Sequence, residues 1–318
     1  MLSLISLEPK LGMAQIDPVD KYYEEAATKI KVLKNRSLDI SLSPAERTVA
    51  ASELRAYYPR ATPGLWTVWL EDRSAPELAQ VALTDMASRL FSSHYHTDAS
   101  DGGVHATPDA ATNARELLRS LAMNSDQPAL RKGALDTLGS FGDPVGLAAL
   151  KKAVEDKAYD PAMALSHLSA APKVGAPILA DLAADGALSM DVRLGAVRVM
   201  KNSPEYSPAL QTLALSTNIP AEIRQEALRS NFTVAPNDAL QTAVAAISST
   251  KEGANKGELV RVITDNANNL PPDESTDKTL KQLSKDLAAE HGTDRVTNVR
   301  LRGLDHAISS VEERTVQQ

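Results

Sequence analysis

The sequence predicts an all-α protein, an α-α superhelix built from stacked helix pairs. Three observations carry that expectation. An alanine, a bulky aliphatic residue beside it and a further aliphatic four positions after the alanine recur along much of the chain. Prolines stand ahead of several copies, where a missing N–H costs a starting helix nothing. Hydrophobic residues reach 43 % while aromatics are only 4 %, so small aliphatic side chains must fill the core. One such helix pair cannot bury its apolar face alone and must stack on its neighbours.

Residues 1–17 are expected to be a poorly ordered leader. They hold a short apolar stretch up to Leu7, then Glu8, Pro9 and Lys10, with no basic run ahead of it, so the chain as given shows no complete signal peptide. Cytoplasmic and periplasmic locations both remain open. Residues 18–43 are expected to be an N-terminal capping helix and its exit. Asp17 is its candidate N-cap, and Lys29, Lys31, Lys34 and Arg36 lie near its end, where cations complement the helix macrodipole.

The repeat occupies residues 44–248. Its copies are Ala50-Ala51 with Leu54, Ala82-Leu83 with Met86, Ala134-Leu135 with Leu138, Ala164-Leu165 with Leu168 and Ala196-Val197 with Met200. A sixth, Ala227-Leu228, has Asn231 in the aliphatic position. Successive alanines are separated by 32, 52, 30, 32 and 31 residues, so a period of about 31 is broken once. Three positions before each alanine stand Arg47, Ala79, Arg131, Pro161, Arg193 and Arg224; six before stand Pro44, Pro76 and Pro128, with Pro220 displaced by one. Pro63, Pro144, Pro172, Pro204 and Pro236 mark the second helices.

The stretch RKGALDTLGSFGDPVGLAALKKAVED resembles a HEAT repeat of the short bacterial kind, seen also in the bilin-lyase-like branch. That resemblance implies a right-handed superhelix of about seven helix pairs with terminal capping helices. It also implies a ladder in which a first-helix arginine meets a turn aspartate. Arg131, Arg193 and Arg224 match the arginine column as structural positions, with Arg47 a fourth. The aspartates are irregular, Asp126 fitting and Asp191 displaced. Residues 249–318 are expected to hold a degenerate helix pair and the C-terminal cap, with a turn at 271–279 and a last helix from about Asp294 to Val311.

The long step marks an inserted loop, 92–109, between a first helix ending near Leu90-Phe91 and a second beginning near Thr107-Pro108. Three of the chain's six histidines, His94, His96 and His105, lie in it, interleaved with Asp98 and Asp101. Imidazole and carboxylate suit zinc and other divalent transition ions, so His94, His96, Asp98 and His105 are the candidate metal ligands. An extended segment would place His94 and His96 on one side. A solvated polar loop without a ligand is the competing reading.

Other chemistry is thinly represented. Without cysteine there can be no disulfide, thiolate site or cysteine nucleophile. No Gly-x-Ser-x-Gly elbow, phosphate loop or dinucleotide fingerprint occurs. A formal charge of −7 without a long basic run counts against a duplex nucleic acid as partner, and no apolar run is long enough to span a membrane. Ser166 and His167, adjacent on a helix, diverge too far to act as nucleophile and base, and His167 reads as a surface or partly packed residue. Trp66 and Trp69 share a helix face. They read as core against the N-terminal helix with Tyr22 and Tyr23, or as an exposed anchor for a partner.

By analogy with curved solenoids, the expected function is a non-enzymatic scaffold holding a protein or peptide in its concave groove, with no resident cofactor. The alternative is a metal-dependent module or lyase-like enzyme centred on residues 92–109. Some HEAT proteins resemble chromophore lyases, but that resemblance brings no catalytic motif.

Overall fold

The structure, a computed structural model, describes residues 18–95, 108–250, 253–291 and 295–316. Helices account for nearly all of them, and no strand occurs among the described residues. The chain divides into two compact units, Met1–Leu117 and Leu118–Gln318.

The first unit holds α1 (Pro18–Leu38), α2 (Pro44–Tyr57), the short α3 (Trp66–Glu71) and α4 (Pro76–Tyr95). Here α1 packs on α2, and both α2 and α3 pack on α4. Ser43 starts α2 with a reciprocal capping box, its hydroxyl accepting the Glu46 N–H while Glu46 accepts from the Ser43 backbone. Helix α5 (Pro108–Asn124) begins in the first unit and ends in the second.

The second unit continues with α6 (Pro128–Phe141), α7 (Pro144–Glu155), α8 (Pro161–Ala170), α9 (Pro172–Ala184), α10 (Met190–Met200), α11 (Ser207–Leu215), α12 (Ala221–Val234), α13 (Pro236–Ser249), α14 (Gly253–Asp265), α15 (Glu274–His291) and α16 (Arg295–Val316). From α6 to α14 nearly every helix touches the next helix and the next but one, the contact pattern of a one-dimensional helical repeat stack. Helix α16 closes the stack against α14 and α15. No helix among the described residues is long and apolar enough to cross a membrane.

The sequence columns explain this order. Pro44, Pro76, Pro128, Pro144, Pro161, Pro172 and Pro236 are each the first residue of a helix. All six column alanines and the aliphatics Leu54, Met86, Leu138, Leu168 and Met200 are fully buried. Within each unit the first helices that carry them pack on one another, α2 on α4 and α6, α8, α10 and α12 in turn. Asn231 occupies the same position in α12 and is equally buried, with neither side-chain amide atom hydrogen-bonded.

The arginine column does something other than the expected ladder. Arg47 Nε donates to the Ser37 carbonyl at 3.2 Å, Arg131 Nε to Ala122 at 3.2 Å and Arg193 Nε to Ala183 at 2.9 Å. Each acceptor lies in the last turn of the preceding helix, where carbonyls lack helical partners. The arginines are therefore C-terminal caps supplied by the following helix. Arg47 alone of these three adds an aspartate, Asp72. Arg224 Nε is buried and finds no acceptor.

Two expectations are corrected in the first unit. Helix α4 does not stop near Phe91 but runs to Tyr95, so His94 lies on a helical turn and not on an extended segment. Both indoles are fully buried, so neither Trp66 nor Trp69 presents an anchor to a partner. They do not pack on Tyr22 and Tyr23, which are two-thirds exposed and meet each other edge-on at 5.9 Å. Leu33 and Ser37, one turn apart, are the buried face of α1 instead.

Candidate functional site

The histidine-bearing insertion emerges from the end of α4, and that helix is fixed by a buried polar network. Asp85, 2 % exposed, accepts a hydrogen bond from Trp66 Nε1 at 2.8 Å and one from the Thr62 hydroxyl at 2.6 Å. One turn on, Arg89 Nε lies 3.6 Å from the other Asp85 oxygen, and the same guanidinium donates to the Pro59 carbonyl. A buried charge needs this degree of pairing. The network ties two irregular turns, residues 59–65, to the middle of α4. Trp69 Nε1 donates to Ser37 Oγ at 3.3 Å, which anchors α3 to α1 as well.

His94 lies in the last turn of α4. His96, Asp98 and His105 fall outside the described residues, as do Asp101 and Asp17. No group of three or more potential ligands that could hold a metal ion occurs among the described residues.

A second constellation, in the second unit, was not anticipated. Asp136 on α6 is its centre. The Tyr159 hydroxyl, from the turn between α7 and α8, donates to Asp136 Oδ1, and Lys132 Nζ lies 2.8 Å from Oδ2. Lys132 also stands over the Tyr159 ring, 5.6 Å from its centroid. His167 on α8 approaches the same Oδ1 with Nε2 at 3.9 Å, beyond hydrogen-bonding reach. That nitrogen is buried and has no partner. Burial holds the His167 pKa below its ordinary 6.5, with Lys132 adding to the effect and Asp136 opposing it. Burial and the Asp136 carboxylate push the Tyr159 phenol upward, so the ring stays protonated.

His167 is thus partly packed, as its helix position suggested, but its neighbours were not. The signal that could have found them is the period itself. Asp136 and His167 are 31 residues apart, one more than the step of 30 between their repeats, so they fall within one position of each other on stacked first helices. Gly139 makes the approach possible, because a Cβ there would fall 2.7 Å from His167 Cγ.

No family model matches the chain, and no curated protein sequence matches it. Among solved structures, it is similar to human deoxyhypusine hydroxylase in complex with glycerol, at 15 % identity over 91 % of this chain and 99 % of that one, with a TM-score of 0.33. An engineered protein aligns at 18 % identity over 91 % of this chain and 90 % of its own, with a TM-score of 0.34. A second engineered protein gives 16 % identity and a TM-score of 0.22. The expectation of a non-enzymatic scaffold is corrected at this point. A hydroxylase stands among the similar chains, whereas the inference against catalysis rested only on missing motifs. Likenesses of this size transfer no activity to the chain; what stands is an all-α helical repeat protein without cysteine.

Proposed function

We propose that the repeats are of the HEAT kind and that the chain is a metal-dependent module or lyase-like enzyme centred on residues 92–109. His94, His96, Asp98 and His105 would hold a divalent transition ion such as zinc. One observation carries the reading: the single break in a period of about 31 residues is also where half of the chain's histidines are concentrated. Imidazoles with one carboxylate are a borderline-soft donor set that favours zinc over magnesium or calcium. An ion so held would supply Lewis acidity or a bound water of lowered pKa. The chain's own part is to fix one end of the ligand segment, which the Asp85–Arg89–Trp66 network does by clamping α4.

The test is metal content. Full-length chain, loaded with zinc and dialysed against zinc-free buffer, should retain about one equivalent, in keeping with a single four-ligand site. The triple variant with His94, His96 and His105 replaced by alanine should retain almost none while keeping its helical circular dichroism. Equal retention by both proteins sinks the proposal.

A further inference from the structure

In the second unit the starts of α13 and α15 form a polar cavity of about 230 Å³. Asn237, Asp238 and Gln241 line it from α13, and Asp273, Ser275 and Thr276 from the start of α15. We infer that this cavity is a binding site for a small neutral polyol of about monosaccharide size. Thr276 carries the inference. It is 3 % exposed, and its N–H donates to Asp273 Oδ1 at 2.7 Å. Its hydroxyl, however, has no hydrogen-bond partner among the described residues. Thr242 and Thr279 turn their hydroxyls back onto the carbonyl four residues earlier, at 2.7 Å and 2.8 Å. Thr276 does not, and its hydroxyl is not sealed off either, so it opens into the cavity that it lines. A hydroxyl held there costs stability unless a ligand or water meets it.

The lining selects the kind of ligand. Two carboxylates and no lysine, arginine or histidine face the cavity, which excludes an anion. Nor do the carboxylates call for a cation. Asp238 lies in the first turn of α13 and Asp273 directly before α15, where the helix dipole and the free N–H groups already favour negative charge. A metal would need its ligands within about 2.6 Å, and no group of three or more potential ligands that could hold one occurs among the described residues. An apolar molecule would find only Leu240. The Asn237 and Gln241 amides and the two hydroxyls both give and accept hydrogen bonds. Ser207 reaches one oxygen of Asp238, at 3.4 Å, and the Thr276 N–H one of Asp273, which leaves each carboxylate a second oxygen as acceptor. Ligand hydroxyls, donor and acceptor at once, match that mixture. The volume lies below the range of about 300–1,000 Å³ usual for drug-sized molecules, and suits one sugar ring.

Full-length chain with isotope-labelled backbone amides, titrated by NMR with glucose, mannose and myo-inositol in turn, tests this. At least one of the three should shift the amide signals of residues 237–241 and 273–276 in a saturable way. Thr276→Ser should bind as the parent does. Thr276→Val should bind about five- to tenfold more weakly, having lost one hydrogen bond to the ligand, while keeping its helical circular dichroism. Gln241→Ala, a change at an exposed side chain, should weaken binding similarly and decides the matter if the valine variant misfolds. Signals that stay still up to about 50 mM of all three probes, well past the millimolar Kd expected of so small a ligand, overturn the inference. So does an affinity unchanged by Thr276→Val, or a larger response to calcium or ammonium ions than to any of the three.

Discussion

Arg119 grips both carboxylate oxygens of Asp143, Nε to Oδ1 at 3.0 Å and a terminal nitrogen to Oδ2 at 2.6 Å. The same Oδ1 accepts the Val145 and Gly146 N–H groups at 3.0 Å and so caps α7. One side chain, 3 % exposed, therefore starts a helix and receives a bidentate arginine from α5. This aspartate sits in the turn between the two helices of a pair. Its partner comes from the second helix of the preceding pair and not from the arginine column.

Replacing Arg119 with alanine should lower unfolding stability by about 2 kcal/mol, less than for a fully buried pair because Arg119 is one-third exposed. Asp143→Ala should cost more, since the cap adds about 1 kcal/mol. Urea titrations of the two variants and the double variant would show strong non-additivity. Burial pushes the Asp143 carboxyl up, but Arg119 and the two N–H groups outweigh it and hold the pKa below 3.8. Its contribution is thus fully present above the unfolded value and is lost as pH falls through the native one. Asp143→Asn should flatten that acid limb of the stability curve.

Asn231→Leu should stabilise the protein by about 2 kcal/mol, since it replaces a fully buried amide without hydrogen bonds by the aliphatic that other copies carry there. Calorimetry should show the rise in Tm. No change, or a loss, would mean that the amide has a buried water or other partner.

His167 gives stability an opposite dependence to a gained ion pair. Its pKa is lowered in the native state, so the unfolded chain takes the proton first. Stability should start to fall as pH drops through 6.5 and level off once the native imidazole is also charged. His167→Gln should remove that limb. Gly139→Ala should cost about 1–3 kcal/mol by forcing the ring off α6.

Asp85→Ala should be the most damaging change in the first unit, at about 3–5 kcal/mol, because it leaves a buried guanidinium without its counter-charge and an indole N–H without its acceptor. Chemical denaturation followed at the tryptophans would measure it.

The stack was legible because its rules are local. Proline fits the first turn of a helix far better than its interior, and Ala134 with Leu138 lie on one face by helical period alone. What escaped was set by partners distant in sequence. Trp66 gave no sign that Asp85 would hold its N–H, and the arginine column gave only its regularity, not its carbonyl acceptors. Asp136 and His167 look like two unrelated polar surface residues until the stack brings them together. The end of α4 was misjudged because Ser92, Ser93 and His94 are indifferent helix formers that the preceding turns carry along.

The two buried indoles are the chain's only tryptophans, and both lie in the first of its two units. Emission excited at the red edge of the indole band is therefore an internal gauge for that unit alone. Far-ultraviolet dichroism, in contrast, sums over every helix. A melt in which the two signals part company would show the units coming undone separately, with no label needed to see it.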